Sequence, residues 1–444
     1  MNILKKITIC VLAVLACFTL TSCESNTTKT TQEVIPANVY EEAVKNGFSG
    51  SIDDYLLNLL RTNSYENVYD LAKENGLFDG TLEEFIASLK GEAGSSSVEE
   101  VAQSALTSTA SITAAFTVTV RDMFGRSYTQ QAKSAGSGVI YKIDGNTAYI
   151  VTNYHVVYYN GANSPVSDSI YVYLYGMEYD QYGLKATFIG GSMLYDIAVL
   201  KIESDIFSDS SYPFHSVTLG NNDELNVGES IIAVGNPEGS GLSVTNGIVS
   251  VKEETISMYL ADRSTVTDRR VIRIDAAVNG GNSGGGLYNE KGELVGIVDA
   301  KIVDEDIEGM CYAIPINVAR EVADKVIATC NGTSTTSIRR VYLNVTTAIA
   351  SSKPVYDTTT KTLSIVQEIT VSKVERGAAY GVLEVGDVIV NIEYNGTTYS
   401  INSEYDLENV LLKINKGDSI NVYIKRGTSY QTVTITFTDD QAIS

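Results

Sequence analysis

Hydrophobic and polar positions follow different periods in successive parts of this chain. From about Val98 to residue 316, apolar and polar residues alternate in short β-branched runs bounded by Gly, Asn or Asp. Such runs stand at 116–120, 138–142, 148–152, 170–174 and 197–202, then at 230–234, 247–251, 271–274 and 294–298. A period of two turns one face of a pleated strand into a core. Many short strands with turn residues between them predict an all-β barrel or sandwich. Residues 317–328 carry the three-and-four spacing of one closing helix, and the Thr/Ser-rich stretch 331–337 reads as a linker. The tail, 338–440, mixes both periods. It predicts strands at 364–374, 388–394, 419–425 and 431–437 and a helix over 404–414. Gly377-Ala378-Ala379-Tyr380-Gly381 is a candidate short helix.

Residues 38–92 are helical and repeat. Tyr40, Ala43, Asn46-Gly47-Phe48 and Gly50-Ser51-Ile52-Asp53-Asp54 return as Tyr69, Ala72, Asn75-Gly76-Leu77 and Gly80-Thr81-Leu82-Glu83-Glu84. In each copy Asn-Gly stops a helix, since both residues accept left-handed backbone. Ser51 or Thr81 then opens the next, with an acidic residue three positions on to complete a capping box. The two copies resemble a short helical repeat of Gram-positive surface proteins and phage tail proteins. Such a module reads first as a spacer, closed by the Gly/Ser linker at 91–97.

The N-terminus changes the picture of where the chain works. Lys5 and Lys6 precede an apolar run over 7–20, too short to span a bilayer and of the length of a signal-peptide core. It ends in Leu20-Thr21-Ser22-Cys23, which resembles the bacterial lipobox. That pattern implies a lipoprotein signal peptide at 1–22, lipidation of Cys23 and a flexible tether over 23–37. An ordinary signal peptide with an incidental cysteine is the alternative. Cys10 and Cys17 would leave with the leader, so of five cysteines only Cys311 and Cys330 remain besides the anchor. The helix between these two would hold them about 18 Å apart, beyond disulfide reach, which predicts two buried, inert thiols. A formal charge of −22 excludes a nucleic-acid partner, which requires Lys/Arg clusters, and disfavours adhesion to anionic lipid.

Candidate chemistry is concentrated in three short segments. Gly281-Asn282-Ser283-Gly284-Gly285 sets a serine between tight glycine turns, where backbone N–H groups can be aimed at a developing oxyanion. Upstream lies Thr152-Asn153-Tyr154-His155-Val156-Val157, and between them Asp196-Ile197-Ala198-Val199-Leu200. The chain has only two histidines, and His215 lies in no comparable setting. His155, Asp196 and Ser283 therefore stand in the chain order of the chymotrypsin class. In those roles His155 takes the Ser283 proton, and Asp196 fixes the imidazole tautomer. Gly281 and Ser283 supply the oxyanion-hole N–H groups. No metal, phosphate or cofactor motif is present: the mature cysteines lack ligand spacing and there is no Walker loop.

Residues 98–440 resemble the HtrA family of trypsin-like serine proteases with a C-terminal PDZ domain. The resemblance rests on Gly136-Ser137-Gly138-Val139-Ile140 and on the three segments above. Val234-Gly235-Asn236-Pro237, Val244-Thr245-Asn246-Gly247-Ile248-Val249-Ser250, Asp275-Ala276-Ala277-Val278-Asn279 and Tyr312-Ala313-Ile314-Pro315 add to it. It implies a mainly β fold, two six-stranded β-barrels at 98–333 with the triad between them, an α+β PDZ domain at 338–440 and a homotrimer as the minimal assembly. It further implies a membrane-anchored, extracytoplasmic endopeptidase that cleaves unfolded or misfolded proteins and needs no cofactor. The alternative is a catalytically silent surface binding or adhesion protein using barrel, PDZ and repeats as recognition modules.

The family's Asn-Pro-Gly-Asn-Ser-Gly-Gly-Pro is altered here, with Gly280 and Gly286 in the proline positions, which predicts a loop less ordered at rest. Ala277, six residues before Ser283, implies an apolar specificity pocket for small or medium aliphatic side chains. The PDZ resemblance rests on Gly381-Val382-Leu383-Glu384-Val385-Gly386-Asp387-Val388-Ile389. It puts Leu343, Asn344 and Val345 at a loop that captures peptide C-termini.

Overall fold

A computed structural model describes residues 97–177, 180–300, 310–329, 336–358 and 362–442, together with Lys73. The leader, Cys23, the tether and the second mature cysteine, Cys330, lie outside the described residues, as does the 38–92 repeat apart from Lys73.

The first described element is a helix, α1 (Val98–Ser108), which corrects the expectation of strand spacing from Val98. Ser97 starts it. Its Oγ accepts the Glu100 N–H at 3.2 Å, and the Glu100 carboxylate accepts the Ser97 N–H at 3.0 Å, so two otherwise orphaned donors are satisfied. Val101 and Ala105, one turn apart, bury its inner face. Alternation begins only at Thr109.

Six strands follow: β1 (Thr109–Arg121), β2 (Ser127–Asp144), β3 (Thr147–Thr152), β4 (Ser169–Leu174), β5 (Leu184–Ser192) and β6 (Ile197–Glu203). A single helical turn, α2 (Tyr154–Val157), follows β3. The order β5-β4-β1-β2-β3-β6 closes on itself through β5–β6, so this sheet is a six-stranded barrel. Ile112, Ile140, Ile150, Ile170 and Leu200 fill it.

The short β7 (Thr218–Leu219) leads to β8 (Ser230–Gly235), β9 (Ser243–Tyr259), β10 (Val266–Ile274), β11 (Gly286–Asn289), β12 (Glu293–Val298) and β13 (Cys311–Pro315). Their order β11-β8-β9-β10-β13-β12 closes through β11–β12 into a second six-stranded barrel, with β7 added parallel to β12. Closure leaves no long unpaired edge, the weak point of an open sheet. Between the barrels, Val139, Val151, Val199, Ile232, Leu294 and Ile297 share one core with α1 and with α3 (Ile316–Thr329). The closing helix and the mainly β double barrel are thus as the sequence indicated. Cys311 is a buried free thiol whose pKa burial pushes up.

Part of the expected linker pairs back onto the first barrel as β14 (Thr336–Ser337), parallel to β5. The C-terminal unit comprises β15 (Arg339–Arg340), β16 (Val345–Asp357), β17 (Thr362–Val374), β18 (Val388–Tyr394), β19 (Thr397–Ser400), α4 (Glu404–Lys413), β20 (Ser419–Arg426), β21 (Ser429–Thr436) and β22 (Gln441–Ala442). Its sheet runs β16-β17-β18-β20-β21, with β19 beside β18, and Ile369, Ile392, Leu407, Val410 and Val422 pack its core. The candidate helix in 377–381 is a pair of turns instead. Tyr380 N–H bonds back to the Gly377 carbonyl and Val382 N–H to that of Ala379, and no helical run continues from them.

Candidate active site

His155 is presented by the one-turn helix α2, which the chain enters from β3 through an extended Asn153. Asp196 sits just before β6 with φ of 54°, in left-handed backbone that Asp tolerates better than most residues. Four hydrogen bonds hold it there. Its carbonyl accepts Tyr154 N–H at 3.1 Å and Asn153 Nδ2–H at 3.0 Å. Its Oδ1 accepts the His155 backbone N–H at 2.9 Å, and its Oδ2 meets His155 Nδ1 at 2.7 Å. An ionised carboxylate only accepts, so Nδ1 carries the proton and Nε2 is the basic nitrogen. Asp196 is fully buried. Burial alone would raise its pKa, but the charge and hydrogen bonds of His155 and the nearby Arg269 outweigh it and hold the group below the usual carboxylate range.

Ser283 follows β10 in a loop pinned against the first barrel. Ser137 does most of the pinning: its N–H donates to the Ser283 carbonyl at 2.8 Å, and its Oγ donates to that of Gly281 at 2.8 Å. The Gly280 carbonyl accepts Glu238 N–H at 2.8 Å. Gly284, at φ of 87°, lies so close to the histidine segment that a Cβ would meet Ser137 O at 2.1 Å and Asn153 N at 3.1 Å. Within the loop, Asn282 N–H donates to Asn279, Gly284 N–H to Val298 and Gly285 N–H to Asn282. Among the described residues, the N–H groups of Gly281 and Ser283 donate to no protein acceptor. Two donors left open on either side of the satisfied Asn282 N–H are the arrangement an oxyanion hole requires.

The Ser283 Oγ accepts Ala300 N–H at 3.2 Å. Ala300 follows Asp299, which has a carboxylate oxygen within 4.8 Å of a His155 ring nitrogen and an Asp196 oxygen. Asp299 and Arg269 were not singled out from the sequence. Both are buried: Arg269 Nη1 lies 3.1 Å from Asp299 Oδ2 and 3.5 Å from Asp196 Oδ2. The available signals were an Asp directly after an apolar strand and two consecutive arginines inside one. Ala277 is exposed, with its carbonyl accepting the Thr245 hydroxyl at 3.0 Å. Leu343, Asn344 and Val345 line a separate cavity of about 290 Å³ between the start of β16 and Leu407 and Leu411 of α4. Asn344 is left-handed, with φ of 59°.

Residues 136–297 match the family model of the trypsin-like peptidase domain. The chain is 33% identical over 317 residues to the serine protease Do-like HtrA of Bacillus subtilis (strain 168), which covers 68% of this chain and 64% of that relative. It is 34% identical over 311 residues to the protein of the same name from Lactococcus lactis subsp. cremoris (strain MG1363), covering 67% of this chain and 70% of the relative. Among solved structures it is similar to the HtrA-type protease AlgW with decapeptide, at 27% identity and a TM-score of 0.47, covering 76% of this chain and 97% of that one. With 34% identity across more than two thirds of the Lactococcus protein, the chain belongs to the HtrA family of trypsin-like serine proteases.

Proposed function

We propose that the chain is an endopeptidase that cleaves unfolded or misfolded proteins outside the cytoplasm, with His155, Asp196 and Ser283 as its triad. The observation that carries this reading is the His155–Asp196 bond at 2.7 Å together with the two open N–H groups in the Ser283 loop. In the reaction, Ser283 Oγ attacks the peptide carbonyl carbon while His155 Nε2 takes its proton. The oxyanion forms between the Gly281 and Ser283 N–H groups, and the Asp196 carboxylate stabilises the imidazolium. His155 then gives its proton to the leaving amine as the C–N bond breaks. Water, activated by the same imidazole, hydrolyses the acyl-enzyme and regenerates Ser283.

The protease unit is assigned to 98–333 and the C-terminal unit, 338–440, to a PDZ domain that takes peptide C-termini. The cavity at Leu343–Val345, open beside the edge strand β16, supports that assignment. Ala277 is assigned to an apolar specificity pocket. Cys23 anchors the protein to the membrane by lipid, the 38–92 repeat acts as spacer, and three copies assemble as the working unit.

The test is fluorophosphonate labelling with peptide mapping, alongside casein hydrolysis. The label is expected on Ser283, and Ser283→Ala or His155→Ala should each lower turnover by about 10⁶-fold, since the two act as one device. Undiminished casein cleavage by folded Ser283→Ala protein ends the protease reading at this site.

A further inference from the structure

The triad aspartate has a second cationic neighbour, and that neighbour has its own counter-ion. Arg269 lies on β10, buried to 3% exposure, and two backbone carbonyls hold its guanidinium besides the carboxylates of Asp196 and Asp299. Nε and Nη2 each lie 3.3 Å from the Leu194 carbonyl, and Nη2 lies 3.4 Å from that of Met193. These two carbonyls belong to the turn that carries Asp196. Nη1 faces Asp299 Oδ2 at 3.1 Å and Asp196 Oδ2 at 3.5 Å. The second distance is long for a hydrogen bond and acts as a charge contact. It falls on the same oxygen that binds His155 Nδ1. Asp299, fully buried, reaches within 4.8 Å of both.

A guanidinium does not titrate in a protein, so Arg269 is a fixed positive charge. With His155 neutral, Asp196, Arg269 and Asp299 sum to one negative charge in a buried space. When His155 takes the Ser283 proton, the group of four becomes neutral. Without Asp299 the resting group would be neutral, and the imidazolium would leave a net positive charge away from water, which burial opposes. Tyr154 and Tyr158, on either side of His155 along the chain, have hydroxyls whose pKa burial pushes up. Arg270, next on β10, turns instead to Glu253 and Asn409.

We propose that Arg269 and Asp299 are positioning residues that form a second counter-ion pair behind the triad, with Asp299 setting the basicity of His155 and Arg269 fixing the Asp196 turn. This rests on the triad reading above. Neither residue touches the reacting atoms, so the discriminating readout is the acid limb of kcat/KM against pH for a short peptide substrate. His155 titration by NMR in Ser283→Ala protein supports it, since His215 is the only other histidine.

Asp299→Asn, isosteric and still able to accept from Arg269, should move the limb down by about one pH unit and lower the plateau rate about tenfold or more. Arg269→Met, which leaves Asp299 uncompensated beside His155, should move it up by about one unit. Arg269→Lys keeps the charge and should keep the limb within a few tenths of a unit of the wild type. If Arg269→Met does not fold, Asp299→Asn and Arg269→Lys decide the matter. A limb in folded Asp299→Asn that stays at the wild-type position, or moves up, overturns the inference. A wild-type protein with no Ser283 labelling and no limb would instead defeat the triad itself.

Discussion

Two adjacent glycines in the nucleophile loop are under opposite constraints. Gly281 has φ of 99°, and a Cβ there would lie 2.2 Å from the Asn236 carbonyl oxygen and 2.8 Å from Glu238 N. Gly281→Ala must therefore rotate or displace the peptide that carries one of the two proposed oxyanion donors. Loss of one such donor costs about 10²–10³ in turnover, and that loss is expected here with the rest of the fold intact. Gly280 has no positive φ, no atom near its would-be Cβ and an N–H that donates to no described residue. Proline fits those conditions, and Gly280→Pro removes alternative loop conformations worth about 0.4–1 kcal/mol. Basal turnover on a short peptide should then rise about two- to fivefold with KM little changed. The gain is small because Glu238 and Ser137 already hold the loop. Equal or lower turnover in a well-folded Gly280→Pro protein shows that loop freedom does not limit this enzyme.

At the scale of elements, the most heavily tied point of the C-terminal unit is Asp387, at the start of β18. Its fully buried carboxylate accepts Arg426 Nε at 2.7 Å, Arg426 Nη2 at 2.8 Å and Glu384 N–H at 2.8 Å, fastening β18 to the end of β20. Burial raises its pKa, but Arg426 and the Glu384 N–H outweigh it, so the folded value lies below the ordinary one. A depressed carboxylate contributes stability that is fully present above the unfolded value of about 3.9 and is lost as pH falls through the folded value. Asp387→Asn should cost about 2–3 kcal/mol at pH 7, less than a fully buried pair because Arg426 is about one-third exposed. In denaturant titrations the gap to wild type should narrow as pH falls below about 3.9. A gap of the same size at pH 3 and pH 7 would show that packing, not charge, is responsible.

Elements differed in how far the sequence announced them, and burial is the reason. β4, β6, β8 and β12 are walls of closed barrels, and their apolar runs read clearly. β16 is nearly all exposed beyond Thr346, so its pairing with β17 leaves no alternation to read. α1 was hidden because Val101 and Ala105, four apart, suit either period, although the Ser97–Glu100 capping box was in the sequence. The residues proposed as the triad were legible because each sits in its own short motif. Arg269 and Asp299 were not, because β10 and the end of β12 meet Asp196 only once both barrels have closed.

At the scale of the whole molecule, α4 joins the C-terminal sheet to the barrels. Tyr405, Glu408, Asn409 and Lys413 recur at spacings of three, one and four residues along one side of it. Tyr405 lies under the Arg270 guanidinium, 4.8 Å from centroid to Cζ, and its hydroxyl is 3.1 Å from the Thr255 Oγ1. Glu408 accepts Tyr195 OH at 3.0 Å and faces Arg340 at 3.2 Å, Asn409 accepts Arg270 Nη1 at 2.8 Å, and Lys413 pairs with Glu321 at 2.5 Å. These contacts are polar and directional apart from the Tyr405 ring, and Leu412 of the same helix adds an apolar one, buried in the core that the barrels share with α3. Leu407 and Leu411 of the same helix line the cavity at Leu343–Val345, while Arg270 is the neighbour of Arg269. Glu408→Ala with Asn409→Ala removes two anchors without touching the apolar side of α4. Each charge-assisted bond contributes about 1 kcal/mol net at such a partly exposed site, so the pair should cost about 1–2 kcal/mol. For a unit of about 100 residues that lowers its melting temperature by about 5–10 °C. Calorimetry should show the C-terminal transition moving down while the barrel transition, marked by loss of fluorophosphonate labelling, stays in place. If both transitions fall together, or neither moves, α4 is not the hinge between the two units.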